Sequence, residues 1–377
     1  MSNKTLSPQL ITLVREYHGL SQPKLAKASG VPQAIISRLE TSIPVKDAEK
    51  SLERIASVLD FPVSFFYQDF RVYSPALLFR KKASTTLNAL RKVEANTNLC
   101  RIVYEELATV NEVKNSNIPD LSEFNHTESP SGYAAALRKV WLTPKGPINN
   151  LVKLLESNGV VLIPTKFDSE EISGISFYTA YNVPMIFVNT RHNSERQRFT
   201  LAHELGHLLM HSKKMISADQ MDRIESEADE FASEFLIPSE DFRILSGGRL
   251  EITDFMPLKN YWKVSIWTIL RKCNDKSILP DWKYKNHMIT LSSLGYRRTE
   301  PNPIPVEGTT TLKLMFDYYF IDLNFTFADL AQKMHLKEQM LIDIYQTVAT
   351  DSLHLDKLNM EELDSANGEC AVRFLGD

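Results

Sequence analysis

The segment that most restricts the fold of this chain is residues 198–211, which place three histidines and a glutamate within an apolar stretch. In an α-helix His203 and His207 lie one turn apart on the same face, so both imidazoles can bind one metal ion at about 2.0–2.1 Å. Glu204 projects about 100° around the helix, where it can address a water molecule beside the metal. The apolar neighbours predict a largely buried helix: Phe199, Leu201, Ala202, Leu205, Leu208 and Leu209. A buried pair of histidines needs a partner, and a metal ion is one.

This spacing is the His-Glu-x-x-His pattern of zinc hydrolases. The plainer alternative is a surface helix that happens to carry histidines, and the apolar flanks argue against it. His211 continues the four-residue spacing, but it lies about 12 Å along the axis from His203, so one ion cannot bind all three histidines. The metzincin pattern needs Gly at position 210 and His at position 213, and the chain has Met210 and Lys213 there. That class is excluded, and the third ligand has to come from another segment.

Residues 224–235 offer this third ligand, because Glu225 and Asp229 share one face of a predicted helix. An acidic helix taken alone is usually a solvated surface. Beside the histidine pair, however, this stretch resembles the second active-site helix of the Glu-zincins. The resemblance implies that Glu225 binds the metal and that Asp229 orients a ligand histidine. Glu227 points to a different face and is the alternative ligand.

Zn²⁺ is the default ion for two histidines and one glutamate, although manganese or iron can occupy such a set. Zinc lowers the pKa of a bound water to about 7, and Glu204 then serves as the general base for attack on a peptide carbonyl. A second donor to the developing oxyanion is usual in such sites. The candidates from nearby segments are Tyr178, Tyr181 and His192.

The charge of the chain is distributed unevenly. Residues 1–92 carry 14 Lys and Arg against 7 Asp and Glu, and the cluster Arg80, Lys81 and Lys82 contributes to this excess; the remainder carries 29 against 40. Such an asymmetry indicates contact of the basic part with nucleic acid, and a solvated basic surface is the plainer alternative. Within this part, residues 6–67 predict four or five short helices.

Two of these predicted helices are separated by a tight turn. Gly30 ends the first because glycine accepts a positive φ, and Pro32 starts the second because its missing N–H costs nothing there. This order resembles the helix-turn-helix of the XRE (lambda-repressor-like) family. That family often has a glycine two residues after the final glutamate of the second helix, and this chain has Ser42. The alternative is a small helical bundle that contacts a protein.

The XRE resemblance implies a double-stranded DNA operator as a partner, bound by a homodimer at a palindromic site. It implies that Gln22 and Lys24 lie near the phosphate backbone. It also implies that Gln33, Ser37 and Arg38 sit on the recognition helix, where such side chains suit base edges and phosphates in a major groove.

The region from about residue 133 to 300 resembles the ImmA/IrrE family of metallopeptidase-like proteins. The stretches that carry the likeness are 146–148, 156–160, 184–189, 199–211 and 225–238. The resemblance implies a zincin-like domain with a small sheet. The C-terminal residues 327–331 look similar to a degenerate helix-turn-helix, for which we expect a structural role.

We therefore predict a mainly α fold with an α+β part. The predicted units are an XRE helix-turn-helix domain (1–70), a helical linker (71–132), an ImmA/IrrE-like metallopeptidase domain (133–300) and a C-terminal helical module (301–377) that begins with a proline-rich linker. Three widely spaced cysteines exclude a disulfide framework and are typical of a reducing cytoplasm. No stretch of about 18 apolar residues predicts a membrane span, and no secretory signal is evident, so we expect a cytoplasmic protein.

Three functions fit this organisation. The first is a transcriptional regulator with a working zinc peptidase that cleaves a repressor-type protein or its own linker. The second is a transcription factor whose zincin-like domain senses a ligand or partner without cleaving. The third is an antitoxin or defence-system subunit that holds a partner protein.

Overall fold

The computed structural model describes residues 5–73, 86–110, 115–121, 124, 129–212, 218–246, 250–297 and 299–349. The cluster Arg80, Lys81 and Lys82 and the end of the C-terminal module lie outside these residues. The described part contains 16 α-helices and one three-stranded sheet, which confirms the prediction of a mainly helical fold with a small sheet. Among the described helices, none is both long and apolar enough to cross a membrane.

The chain begins with four short helices and a 3₁₀ turn. Their bounds are α1 Pro8–Tyr17, α2 Gln22–Ser29, α3 Gln33–Glu40, α4 Ala48–Leu59 and the 3₁₀ turn Val63–Tyr67. Gly30 ends α2 with a φ of 67°, as its lack of a side chain allows. Pro32 precedes α3 as its N-cap, one residue outside the position that we expected. Ser42 has a φ of 60°, the left-handed conformation that glycine favours, so this turn forms without a glycine.

The middle of the chain combines helices with the sheet. Its elements are α5 Leu87–Ala108, α6 Pro130–Val140, α7 Leu151–Ser157, β1 Val161–Thr165, β2 Gly174–Tyr178, β3 Pro184–Asn189, α8 Ser194–Met210 and α9 Met221–Leu236. Seven further helices follow: α10 Ser239–Ser246, α11 Phe255–Trp262, α12 Ile266–Asp275, α13 Asp281–Ser293, α14 Thr311–Asp317, α15 Phe327–Met334 and α16 Glu338–Ala349.

The sheet separates two hydrophobic cores. Its strand order is β1-β3-β2, with β3 parallel to β1 and antiparallel to β2. Because side chains alternate along a strand, Ile163 and Phe187 face the core built by α1–α5 and α14–α16. Leu162 and Ile186 face the core that contains α6–α9 and α11–α13. The N-terminal helices, α5 and the C-terminal helices thus share one core, while the predicted domain boundaries stay a prediction.

Residues 299–310, which include the predicted proline-rich linker, contain neither helix nor strand and are attached to α7 and α8 by hydrogen bonds and ion pairs. Glu307 accepts hydrogen bonds from the backbone N–H of Leu151 (2.7 Å) and Val152 (3.0 Å) at the start of α7, and it pairs with Arg198. Glu156 on α7 in turn accepts the backbone N–H of Thr310 (3.0 Å), just before α14. Glu307 therefore binds the start of α7, and Glu156 of α7 binds the start of α14. Both carboxylates satisfy N–H groups that lack an intrahelical partner.

A buried ion cluster holds the start of the same segment, because it includes Glu300. Lys259 is fully buried (0 % exposed), with its Nζ 2.7 Å from Glu195 and 3.0 Å from Glu300. Lys259→Met should lower the free energy of unfolding by about 3–5 kcal/mol, because it leaves two buried carboxylates without their cation. The half-buried Lys276 lies 3.9 Å from Glu234, and Lys276→Met should cost less than about 0.5 kcal/mol. Equal losses in urea unfolding of the two variants would contradict this assignment.

Candidate metal centre

The structure brings His203, His207 and Glu225 together at the contact of α8 with α9. The two Nε2 atoms are 3.0 Å apart, and each lies 3.5 Å from a carboxylate oxygen of Glu225. Around a tetrahedral ion with bonds of about 2.0–2.1 Å, ligand atoms are separated by roughly 3.3 Å. The observed triangle has nearly these edges, so the three side chains fit a Zn²⁺ ion.

The chemistry of the donor atoms supports the same fit. Asp229 Oδ1 lies 2.9 Å from His203 Nδ1, and since a carboxylate only accepts hydrogen bonds, His203 donates through Nδ1. The lone pair of His203 then lies on Nε2, which faces His207 and Glu225. Lone pairs that converge in this way need a cation between them. Asp229 thus contacts the histidine in the manner expected of an orienting residue.

The surroundings of the triad favour a proton on His203. Burial lowers the pKa of His203, but hydrogen bonds to Asp229 and Glu225 and the charges of Glu204 and Glu225 outweigh this and raise it to about 10. Burial alone would raise the pKa of Glu225, yet its bonds to His203 and His207 hold that pKa well below its usual range.

Glu204 is buried and bound from the edge strand of the sheet. Ser176 Oγ on β2 donates a hydrogen bond of 2.6 Å to Glu204 Oε2. A side chain at Gly174 would meet Glu204 at 3.0 Å and Thr200 at 2.6 Å, so glycine lets β2 approach α8 this closely. Sequence reasoning missed Ser176, because no local pattern shows which strand lies beside the helix.

The close contact of α8 and α9 depends on a second glycine. A Cβ atom at Gly206, between the two ligand histidines, would lie 3.0 Å from the ring of Phe231 on α9. Phe231 is fully buried and stacks on Phe235, so it has little room to move. The small residue inside the histidine pair therefore allows Glu225 to reach the histidines.

His211 and Glu227 lie next to the triad rather than in it. His211 Nδ1 is 3.0 Å from Nδ1 of His207, and its Nε2 is 3.0 Å from Glu227 Oε2. Arg223 donates to the other oxygen of Glu227 at 2.7 Å. The sequence excluded His211 as a third histidine on the same ion and offered Glu227 as the alternative ligand; no local pattern indicates a role for either residue beside the ligands.

The three candidate oxyanion donors occupy different surroundings. Tyr178 shares the face of β2 that carries Ser176, the face that contacts α8, and burial raises its pKa to about 12. Tyr181 lies in the β2–β3 turn and is 78 % exposed. His192 is buried, with its Nε2 2.9 Å from the carbonyl of Glu170. Of the three, only Tyr178 is placed by its strand on the same face as a residue that contacts Glu204.

The predicted DNA-contacting residues lie on α2 and α3. Lys24, Gln33 and Arg38 are exposed, and Ser37 is half-buried one turn after Gln33. The side-chain amide of Gln22 donates to Glu40 Oε2 at 2.8 Å. Glu40 also pairs with Arg15 of α1, whose Nε lies 2.6 Å from Oε1. The three helices are thus tied together by one buried carboxylate.

Residues 155–274 match the Peptidase_M78 family, described as the IrrE N-terminal-like domain. No curated protein matches the chain. The matched region is about a third of the chain and contains the sheet, α8, α9 and every residue of the metal centre. It therefore carries a metallopeptidase-like domain of the ImmA/IrrE type, and peptidases of this family are typically zinc-dependent.

The proton on His203 makes metal binding dependent on pH. An ion has to displace this proton, so zinc affinity should fall roughly tenfold for each pH unit below about 10. Calorimetric titration with zinc at pH 7, in two buffers of different ionisation enthalpy, should report about one proton released per ion. Equal affinities at pH 6.5 and pH 8.5 would contradict this account of the site.

Proposed function

We propose that the chain is a DNA-binding transcriptional regulator whose metallopeptidase-like domain is a working zinc peptidase. The observation that carries the peptidase part is the triangle of His203, His207 and Glu225 with Glu204 beside it. The intact Glu204 matters most, since a purely structural metal site has no use for a buried general base.

His203 Nε2, His207 Nε2 and a carboxylate oxygen of Glu225 would hold the ion. When bound, zinc supplies a Lewis acid that acidifies a water molecule and polarises a peptide carbonyl. Glu204 accepts the proton of the attacking water on the oxygen that Ser176 does not occupy, and it passes the proton to the leaving amine. Ser176 fixes the carboxylate in one orientation through the transfer. Tyr178 is the favoured donor to the developing oxyanion.

The DNA-binding part of the proposal is supported by a comparison within the chain. α2 and α15 are each eight residues long, and each is followed by a left-handed residue, Gly30 or His335, and then a second helix. The residue eight positions after the left-handed one is Arg38 on α3 in the first pair and Asp343 on α16 in the second. An exposed arginine suits phosphates and guanine edges, whereas an aspartate repels phosphates. We therefore assign the DNA reader, the part that contacts the operator, to α2 and α3, with Lys24, Gln33, Ser37 and Arg38 as contacts and Gln22 contributing the second N–H of its side-chain amide.

The substrate that fits this arrangement is a repressor-type protein, or a segment of this chain that joins the reader to the peptidase-like domain. Cleavage of either would change the occupancy of an operator. We further propose a cytoplasmic homodimer on a palindromic site, as is common for this kind of reader.

A second candidate is a non-proteolytic sensor. Deep burial favours it, since Glu204, His207 and Glu225 are all buried and offer little surface to an extended peptide. In that case the metal would be structural. Regulation would then depend on the three metal-binding residues but not on Glu204.

Glu204→Gln separates the two candidates. The variant should keep one zinc per chain, as measured by elemental analysis, because the substituted side chain lies outside the triangle, whereas His203→Ala should lose it. New protein N-termini that wild type generates in cells should fall at least about 10²-fold with either variant, since a general base contributes about 10²–10⁴. A zinc-free wild type would overturn the metal centre. Regulation that survives Glu204→Gln but not His203→Ala would select the sensor.

DNA binding gives an independent prediction. On an operator selected from random duplexes, Arg38→Ala should weaken binding by about 1–3 kcal/mol and relax the preference at one base position. Lys24→Ala should instead lower the slope of log affinity against log salt by about 0.9. The exposed Lys285 of α13 is the control, and Lys285→Ala should change neither quantity. Equal effects of all three variants would exclude α2 and α3 as the reader.

A further inference from the structure

We propose that His211 and Glu227 form a positioning chain that fixes His207 as a metal ligand. This inference rests on the proposed metal centre and adds a second arm to it. The first arm is direct, because Asp229 contacts His203 at 2.9 Å. The second arm reaches His207 through one intervening imidazole.

Hydrogen-bond accounting gives the second arm a single direction. His207 Nε2 faces His203 and Glu225, so as a ligand it carries its lone pair there and its proton on Nδ1. That Nδ1 lies 3.0 Å from Nδ1 of His211, which must then accept. The proton of His211 is therefore on Nε2, 3.0 Å from Glu227 Oε2, and a carboxylate can only accept it. In this direction each of these ring nitrogens donates or accepts as its partner requires.

The surroundings hold this chain in place. His211 is 1 % exposed and is the C-cap of α8, with its backbone N–H bonded to the carbonyl of His207 at 2.9 Å. Arg223 occupies the second oxygen of Glu227 at 2.7 Å, which fixes the rotation of that carboxylate. The tautomer and ring orientation of His207 are thus set from outside the triangle, as is common for metal-binding histidines.

Helix geometry explains why the two arms differ. Asp229 is four residues after Glu225, so both point at the histidines from one face of α9. Glu227 is two residues after Glu225 and points about 200° away from it. From there it cannot reach a ligand directly, and His211 spans the gap.

The test is zinc affinity by competition with a chelator, with the cobalt absorption spectrum as a second readout. His211→Leu removes the acceptor and should weaken zinc binding about 10–100-fold and alter the cobalt bands. His211→Asn places a carbonyl oxygen close to the position of Nδ1 and should stay within about threefold of wild type. Glu227→Ala removes a partly exposed side chain and should weaken zinc binding by a smaller factor than His211→Leu does.

The control is His287→Leu, which removes another buried histidine in the same core, hydrogen-bonded to the carbonyl of Leu250. It should lower the melting temperature without changing zinc affinity. Wild-type affinity in His211→Leu and Glu227→Ala, or an equal loss in His211→Asn and His211→Leu, would overturn the positioning role and leave the metal centre standing. A wild type that binds no zinc would overturn both.

Discussion

The close packing of α8 against α9 is the contact on which the candidate site depends. It is favoured by Gly206 between the two histidines, because even a Cβ atom there would lie only 3.0 Å from the ring of Phe231. With this contact in place, α9 supplies the third ligand and the carboxylates that orient both histidines, Asp229 directly and Glu227 through His211. A site built on two buried helices is rigid, and rigidity keeps donor atoms close to the spacing that an ion needs.

The sheet connects the candidate site to the segment that follows the N-terminal helices. On one face of β2, Ser176 binds Glu204, and on the other face Phe177 stacks at 6.2 Å on Tyr73, which follows the N-terminal helices. Tyr73 is held in turn by the guanidinium of Arg101, 4.5 Å above its ring. The general base of the proposed peptidase and the segment that leaves the proposed DNA reader are therefore in contact with adjacent residues of one strand.

Helix spacing predicted that His203 and His207 share one face of a helix and that Glu225 and Asp229 share a face of another, and the resemblance to the Glu-zincins implied that the second pair meets the first. The family match lies over that same region. Ser176 could not be predicted, since sequence does not show which strand lies along α8. His211 was set aside because its distance along the helix was judged only against a metal ion. The proline-rich segment suggested a linker, and local sequence could not show its attachment, since the helix start that Glu307 binds, at Leu151 and Val152, is about 150 positions away.

The two similar helix pairs, α2–α3 and α15–α16, show that backbone form alone does not assign a function. The first helices of the two pairs, α2 and α15, share a length of eight residues and a left-handed residue at the turn, yet the equivalent positions of the second helices carry opposite charges, Arg38 and Asp343. The turn between α15 and α16 also packs on the N-terminal helical part, since His335 contacts Ser64 at 3.0 Å and Lys337 contacts Asp60 at 2.9 Å. The α15–α16 pair therefore contributes to packing within the chain. The proposal that α2 and α3 recognise DNA therefore rests on side-chain chemistry and not on the shared backbone form.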